Sequence, residues 1–267
     1  MSKEVPSLVI PPATRLSRRD LLGLAAKGAA TVVVSQSLLA ACASGGNNAA
    51  DSASTATKVG TSAGSPTGSS SCVLTAALEE GPFFVDEKLN RSDIRTDPVT
   101  GAVSTGVPLT LTFNVSRVAG NACTPLTGAY LDVWHCDSAG VYSDVAGSSH
   151  KFLRGYQVTD ANGVARFTTV YPGWYPGRPV HIHFKLRLFA GATRSYEFTS
   201  QLFFDEAITD SVHAQSPYSS RGTRNTRNGN DRIFNSLSAA DKVGLTLQAS
   251  RVANGYEGVL NFGVQVA

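Results

Sequence analysis

The sequence predicts an all-β fold, a β-sandwich with long loops and little helix, over residues 72–267. Three observations predict it. Leu109, Leu111, Phe113 and Val115 alternate with polar neighbours, as do Leu260, Phe262 and Val264 near the end, the period of strands with one buried face. Asn162-Gly163 between Tyr156-Gln-Val and Val164-Ala-Arg-Phe predicts a hairpin. Ser238-Ala-Ala-Asp241 is the only helix start of note. The span is of a size that one core can serve.

Ahead of this domain the chain changes character twice. Arg15-Leu-Ser-Arg18-Arg19-Asp-Leu-Leu precedes an apolar stretch over 23–41 that is too short and too weakly apolar for a spanning helix. It reads as a twin-arginine export signal. The run ends in Leu39-Ala-Ala-Cys42, which resembles a bacterial lipobox and predicts a lipid anchor on Cys42. The competing outcome is cleavage near Ala41 or Ala43 and a freely secreted protein. Residues 43–71 are a Gly, Ser, Ala and Thr tract that cannot bury a core and reads as a flexible tether.

Charge excludes one class of partner. The chain has 23 Lys and Arg against 20 Asp and Glu, a net charge of +3. Five of the basic and two of the acidic residues fall in residues 1–42, which leaves 18 of each in the exported part. Nothing there calls for nucleic acid. Arg221, Arg224 and Arg227, separated by Gly and Asn among others, read as a solvated loop. Beyond Cys42 three cysteines remain: for an exported protein a Cys72 to Cys123 disulfide is expected, and Cys136, in Trp134-His-Cys, reads as a small buried residue.

The chemistry concentrates in the middle. Leu131-Asp-Val-Trp-His-Cys predicts a strand and then a turn that ends at Tyr142; His135 falls on the face opposite Trp134 and reads as a buried hydrogen-bonding group. His150 and His213 fall in polar loops. Tyr171-Pro-Gly-Trp-Tyr175-Pro-Gly-Arg178-Pro is a loop stiffened by its prolines and glycines that feeds a strand over 180–188. Alternation there puts His181, His183, Lys185 and Arg187 on one face. Imidazoles two residues apart on one face can converge on one metal. By itself such a pair is more often structural. A site made of the two histidines with Asp132, Asp137 or Asp144 is the rival coordination. The chain has no Gly-rich nucleotide loop, no Cys-x-x-Cys and no Gly-x-Ser-x-Gly, so no organic cofactor is expected.

Taken together, Trp134 to Gly140-Val-Tyr142, Pro172-Gly-Trp-Tyr175-Pro and Arg178-Pro-Val-His181-Ile-His183 resemble the intradiol ring-cleavage dioxygenases, non-haem iron enzymes that open catechols between their two hydroxyls. Glu80-Gly-Pro-Phe-Phe-Val-Asp86, Arg91-Ser-Asp-Ile94 and Thr159-Asp-Ala-Asn-Gly163 extend the resemblance over most of the chain after about residue 72. It implies that Tyr142, Tyr175, His181 and His183 ligate one Fe(III) per chain. It also implies that Arg178 and Gln201 stabilise negative charge on the substrate and that Tyr175 serves as its base. Substrate and co-substrate would be a catechol and dioxygen, the product a muconate-type dicarboxylic acid. Phenolates are hard anionic donors that suit Fe(III) better than Zn or Cu. Such a reaction draws all its electrons from its substrate, so it can run outside the cytoplasm.

The sequence departs from some relatives in having only Pro176 and Gly177 between Tyr175 and Arg178, which predicts a short loop and an open site. The alternatives are a non-catalytic surface β-sandwich that binds, and a Zn or Cu protein using the same histidines. No motif selects one catechol or sets the oligomeric state.

Overall fold

A computed structural model describes residues 73–266. The chain runs through β1 (Pro108–Ala119), β2 (Ala122–Pro125), β3 (Tyr130–Trp134), β4 (Arg154–Val158), β5 (Val164–Val170), β6 (His181–Ala190) and β7 (Thr193–Phe204). Helices α1 (Glu206–His213), α2 (Arg232–Asn235) and α3 (Ala239–Leu245) follow, and β8 (Thr246–Val252) and β9 (Gly255–Val264) close the fold. The fold is all-β. Its strands form one hydrogen-bonded path, β2-β1-β9-β8-β7-β6-β3-β4, with β5 paired to β1. β7 and β8 join the two halves through only two parallel residue pairs, Phe203 with Thr246 and Phe204 with Leu247.

The alternation on β1 buries Leu109, Leu111, Phe113 and Val115 and leaves their neighbours partly or wholly exposed. Phe113 packs its ring 5.6 Å from Phe184 on β6 and 6.3 Å from Phe262 on β9, so both halves of the strand path contribute to one core. Each such ring, fully buried, stabilises the fold by roughly 1.5–3 kcal/mol. Ser238 caps α3 as expected: its side chain accepts from Asp241 N. No helix among the described residues is long and apolar enough to cross a membrane.

Several expectations need correction. The Asn162-Gly163 turn forms, with Gly163 N donating to Asp160 O, but β4 and β5 on either side of it do not pair. β4 pairs with β3 and β5 with β1, so this turn carries the chain from one half of the strand path to the other. Turn chemistry sets a local reversal; it does not choose the neighbour. His213 ends α1, which Asp205 caps by accepting from Ala207 N and Ile208 N. Arg224 is not solvated: its side chain is buried and pairs with Asp210 at 2.8 Å and with Glu206 at 2.5 Å. Cys123 is disulfide-bonded, and the expected partner, Cys72, lies outside the described residues, as do the signal and the tether. Cys136 is a buried free cysteine.

Candidate metal centre

The histidines arrive on a continuous ladder. His183 on β6 pairs across β3 with Trp134 and across β7 with Gln201, and His181 pairs with Phe203, so a row of Trp134, His183 and Gln201 crosses the sheet. Trp134 stacks on the His183 ring at 4.9 Å and 10°, which fixes the imidazole plane. His181 Nδ1 donates to Pro179 O at 2.7 Å, leaving Nε2 as a bare lone pair.

The tyrosines arrive on loops. Tyr142 follows a turn in which Asp137 Oδ1 accepts from Ala139 N and Val141 N. Tyr175 follows the Pro172-Gly-Trp segment. The two loops pack backbone to backbone: Gly173 N donates to Asp137 O at 3.0 Å. A Cβ on Gly173 would lie 2.5 Å from Ser138 O, and one on Gly140 would lie 2.2 Å from Trp174 O. Gly140 also has φ +78°, a conformation that favours glycine. Side chains from elsewhere then bind each carbonyl leading to Tyr175. Tyr218 Oη donates to Tyr171 O at 2.7 Å, His213 Nε2 to Pro172 O at 3.0 Å, Cys136 Sγ to Gly173 O at 3.6 Å and Arg221 Nη2 to Trp174 O at 3.2 Å.

These two arrivals bring four donors together. His181 Nε2 stands 3.0 Å from His183 Nε2, 3.2 Å from Tyr175 Oη and 3.5 Å from Tyr142 Oη. Donors held about 2.1 Å from a common metal at right to tetrahedral angles stand roughly 3.0–3.4 Å apart, so the spacings fit one ion at their centre. Electrostatics fit as well. Burial, then Arg178, drives His181 down to about 3; burial, then His181, drives His183 well below the usual imidazole range. Both rings therefore stay neutral with lone pairs to offer. Burial raises both phenols above their ordinary value, so their ionised forms call for a cation at the centre. A hard, highly charged ion with open positions matches this N2O2 set.

The rival carboxylates are engaged elsewhere. Asp132 takes both Nε and Nη2 of Arg187 at 2.8 Å, and Asp137 caps its turn. Asp144 lies against Glu87. Among the described residues no group of three or more His, Cys, Asp or Glu could hold a metal. His135 is a buried hydrogen-bonding group, as expected, with Nδ1 2.8 Å from Cys136 O and Nε2 2.7 Å from Thr169 Oγ1. His150 pairs instead with Asp97 at 2.6 Å.

Arg178 donates through Nε to Asp231 at 3.1 Å and through Nη2 to Gln201 Oε1 at 2.6 Å; Nη1 has no hydrogen bond among the described residues. Gln201 is fully buried, and its Nε2 donates to Glu79 O at 2.7 Å. The amide oxygen thus holds Arg178, and the amide nitrogen, which has two N–H donors, gives one of them to Glu79.

The sequence shows residues 80–86 only as a motif and does not place them as a strap over the centre. Residues 79–87 cross the histidine face of β6: Phe83 stacks on Tyr142 at 4.3 Å, Phe84 packs on Trp134 at 4.9 Å, Glu80 pairs with Lys185, and Asp86 pairs with Arg187 at 2.8 Å. Lys185 and Arg187 are accordingly buried. The signal available was two cations on the same strand face as two apparent ligands, which require anions once that face is covered.

Comparison with known proteins places this arrangement. Residues 79–229 match the family described as Dioxygenase. The structure resembles an intradiol ring-cleavage dioxygenase from Tetranychus urticae, with 30% identity over 73% of this chain and 95% of that one, at a TM-score of 0.62. It also resembles the dioxygenase domain of a dioxygenase and carbohydrate-binding protein fusion from Streptomyces sp. SirexAA-E, at 30% identity, 73% and 100% coverage and a TM-score of 0.52. In sequence, the protocatechuate 3,4-dioxygenase beta chain of Burkholderia cepacia is 36% identical over 119 residues, 39% of this chain and 50% of that one. The chain spans 32–50% of the length of the curated relatives it matches.

Proposed function

Because this chain belongs to the intradiol ring-cleavage dioxygenases, we propose that it cleaves a catechol with dioxygen to a cis,cis-muconate-type dicarboxylic acid, using one Fe(III) held by Tyr142, Tyr175, His181 and His183. The observation that carries the proposal is the convergence of two imidazole nitrogens and two phenol oxygens within 3.0–3.5 Å. In the reaction the bond between the two hydroxyl-bearing carbons breaks and one oxygen atom of O2 joins each. Catechol and O2 together hold every atom and electron of the diacid, so no external reductant enters. Bound Fe(III) supplies the charge that keeps the tyrosines ionised and the electron-accepting centre that makes a bound diol reactive towards O2.

The chain's own residues do the rest. Tyr175 is the less enclosed of the two tyrosines, and its phenolate oxygen takes the substrate's proton; Tyr142, under Phe83, stays in place. Arg178 Nη1 donates to the negative charge that develops on the diol. Gln201 and Asp231 aim that guanidinium, and Glu79 O fixes Gln201. Trp134 and Phe83 keep water from the faces of His183 and Tyr142. The location belongs to the same proposal: export by the twin-arginine route, with a lipid anchor on Cys42 or free secretion, suits a reaction that takes no electrons from a cytoplasmic carrier.

The test is to load purified protein with iron and follow oxygen uptake and muconate absorbance with catechol. Expected are a visible tyrosinate-to-iron band, one iron per chain and stoichiometric product, with Tyr142→Phe losing band and activity together. A colourless protein that prefers zinc and consumes no oxygen overturns the proposal.

A further inference from the structure

Beside the centre opens a cleft of about 370 Å³ whose inner wall includes both Tyr142 and Tyr175. Phe83, Val141, Val145, Ala146 and Phe152 supply its apolar lining. Phe83 and Val145 are themselves packed against the Trp134, Cys136 and Tyr142 cluster, so that part of the wall is built on buried structure. Val141 is 53% exposed, and its apolar surface meets solvent in the absence of an occupant. Gly140, Ser148 and His150 complete the lining. His150 is already paired with Asp97, and no Lys or Arg lines the cleft. Neither Arg178 nor Gln201 lines it.

Size and chemistry together limit what belongs there. A cavity of about 150 Å³ accommodates one benzene ring, so the cleft has more than twice the room a single ring needs. Its walls are apolar and aromatic, which favours a flat hydrophobic group. With no Lys or Arg in the lining, and with Arg221 beside Gly140 already donating to Trp174 O, a carboxylate would be poorly compensated there.

We propose that the cleft is a subsite for an uncharged second ring, and that the substrate class of this protein is catechols carrying an aryl substituent, in preference to catechol itself or to ring-carboxylated catechols. The inference rests on the reading of the metal centre as a catechol dioxygenase site. The diol is held at the donors and Arg178, and the second ring lies along the outer side of the tyrosines against Phe83 and Val141.

The experiment uses the iron-loaded full chain and three diols: catechol, protocatechuate and 4-phenylcatechol. The expected result is a kcat/KM for 4-phenylcatechol about tenfold or more above that for catechol, the scale on which added apolar groups discriminate, with protocatechuate the poorest. Val141→Trp, which fills the cleft from its exposed side, should cut the 4-phenylcatechol to catechol ratio at least about fivefold. Calorimetric titration of the metal-free protein supplies a second readout. Biphenyl-4-ol, which has the second ring but no diol, should bind more tightly than phenol, and Val141→Trp should narrow the gap. Catechol turned over as well as 4-phenylcatechol, or a ratio untouched by Val141→Trp, overturns the inference. If no diol is consumed at all, the dioxygenase reading fails, and the comparison of biphenyl-4-ol with phenol still decides the cleft.

Discussion

The two halves of the donor set are made rigid in opposite ways. His181 and His183 lie on a strand whose backbone is bonded on both sides, to β3 and to β7, so their positions follow from the sheet. Tyr142 and Tyr175 have no ladder. Their loops are held to each other by two glycines that let backbones touch, and the Tyr175 loop is also fixed by Cys136 from the segment before Tyr142 and by Tyr218, His213 and Arg221 from further along the chain, which bind its successive carbonyls. A ladder averages over many bonds, whereas a clamp depends on each of its few. Single substitutions should therefore disturb the tyrosine side without unfolding the protein and leave the histidine side in place.

The strongest break is Gly173→Ala. Its Cβ would stand 2.5 Å from Ser138 O and 2.6 Å from Asp137 O, both backbone atoms, so the two tyrosine loops must part. A loss of about 10²-fold in kcat is expected, the scale of an ångström-level misplacement. The visible band should weaken with it while the far-ultraviolet circular dichroism of the strands persists; an intact band would show that the glycine contact does not position Tyr175.

Arg178 sharpens the comparison, since it follows the tyrosine loop but is held by Gln201 on the sheet. Arg178→Ala should lower kcat/KM by about 10²-fold with iron content unchanged. Gln201→Ala should lose about tenfold through the same guanidinium, and the double variant should lose little more than Arg178→Ala alone, as coupled residues do. Additive losses would mean that Gln201 acts independently of Arg178.

The smallest effect is expected at Arg221, which is exposed, donates to Trp174 O and sits 5.3 Å from the Trp174 ring. Arg221→Ala should reduce kcat by about threefold to tenfold, the range of one charged hydrogen bond at a partly solvated site. A shift of the tyrosinate band, restored in part by Arg221→Lys, would separate positioning from a mere change in stability. No shift at all would remove Arg221 from the clamp.

The ease with which these two halves could be read from sequence differs for the same reason. The histidines were legible because strand period alone puts residues 181 and 183 on one face. The tyrosines were legible only through resemblance, since nothing local says where a loop side chain points. The clamp was illegible: its acceptors are carbonyls, which every residue has, and its donors come from other segments of the chain. The strap was legible only as a motif, because the ion pairs Glu80 with Lys185 and Asp86 with Arg187 join segments about a hundred residues apart. Helix α1 escaped notice although Asp205 stands at its cap, because the run Glu206–His213 is only eight residues long and its apolar face is too short to set a helical period against the polar residues around it. The Asn162-Gly163 reversal was read correctly as a turn and wrongly as a hairpin, since pairing is decided by the core that β1 and β5 share.

The chain has two tryptophans: Trp134 lies flat on His183, and Trp174 immediately precedes Tyr175 in sequence. Of the two indoles, that of Trp134 lies against one of the four donor residues, with its ring 4.9 Å from the His183 ring. An ion that absorbs in the visible range and sits among the four donors would drain its emission by energy transfer, so the native fluorescence is a built-in gauge of loading. Titrated without any substrate present, it would report how many chains are filled and how quickly a chelator empties them.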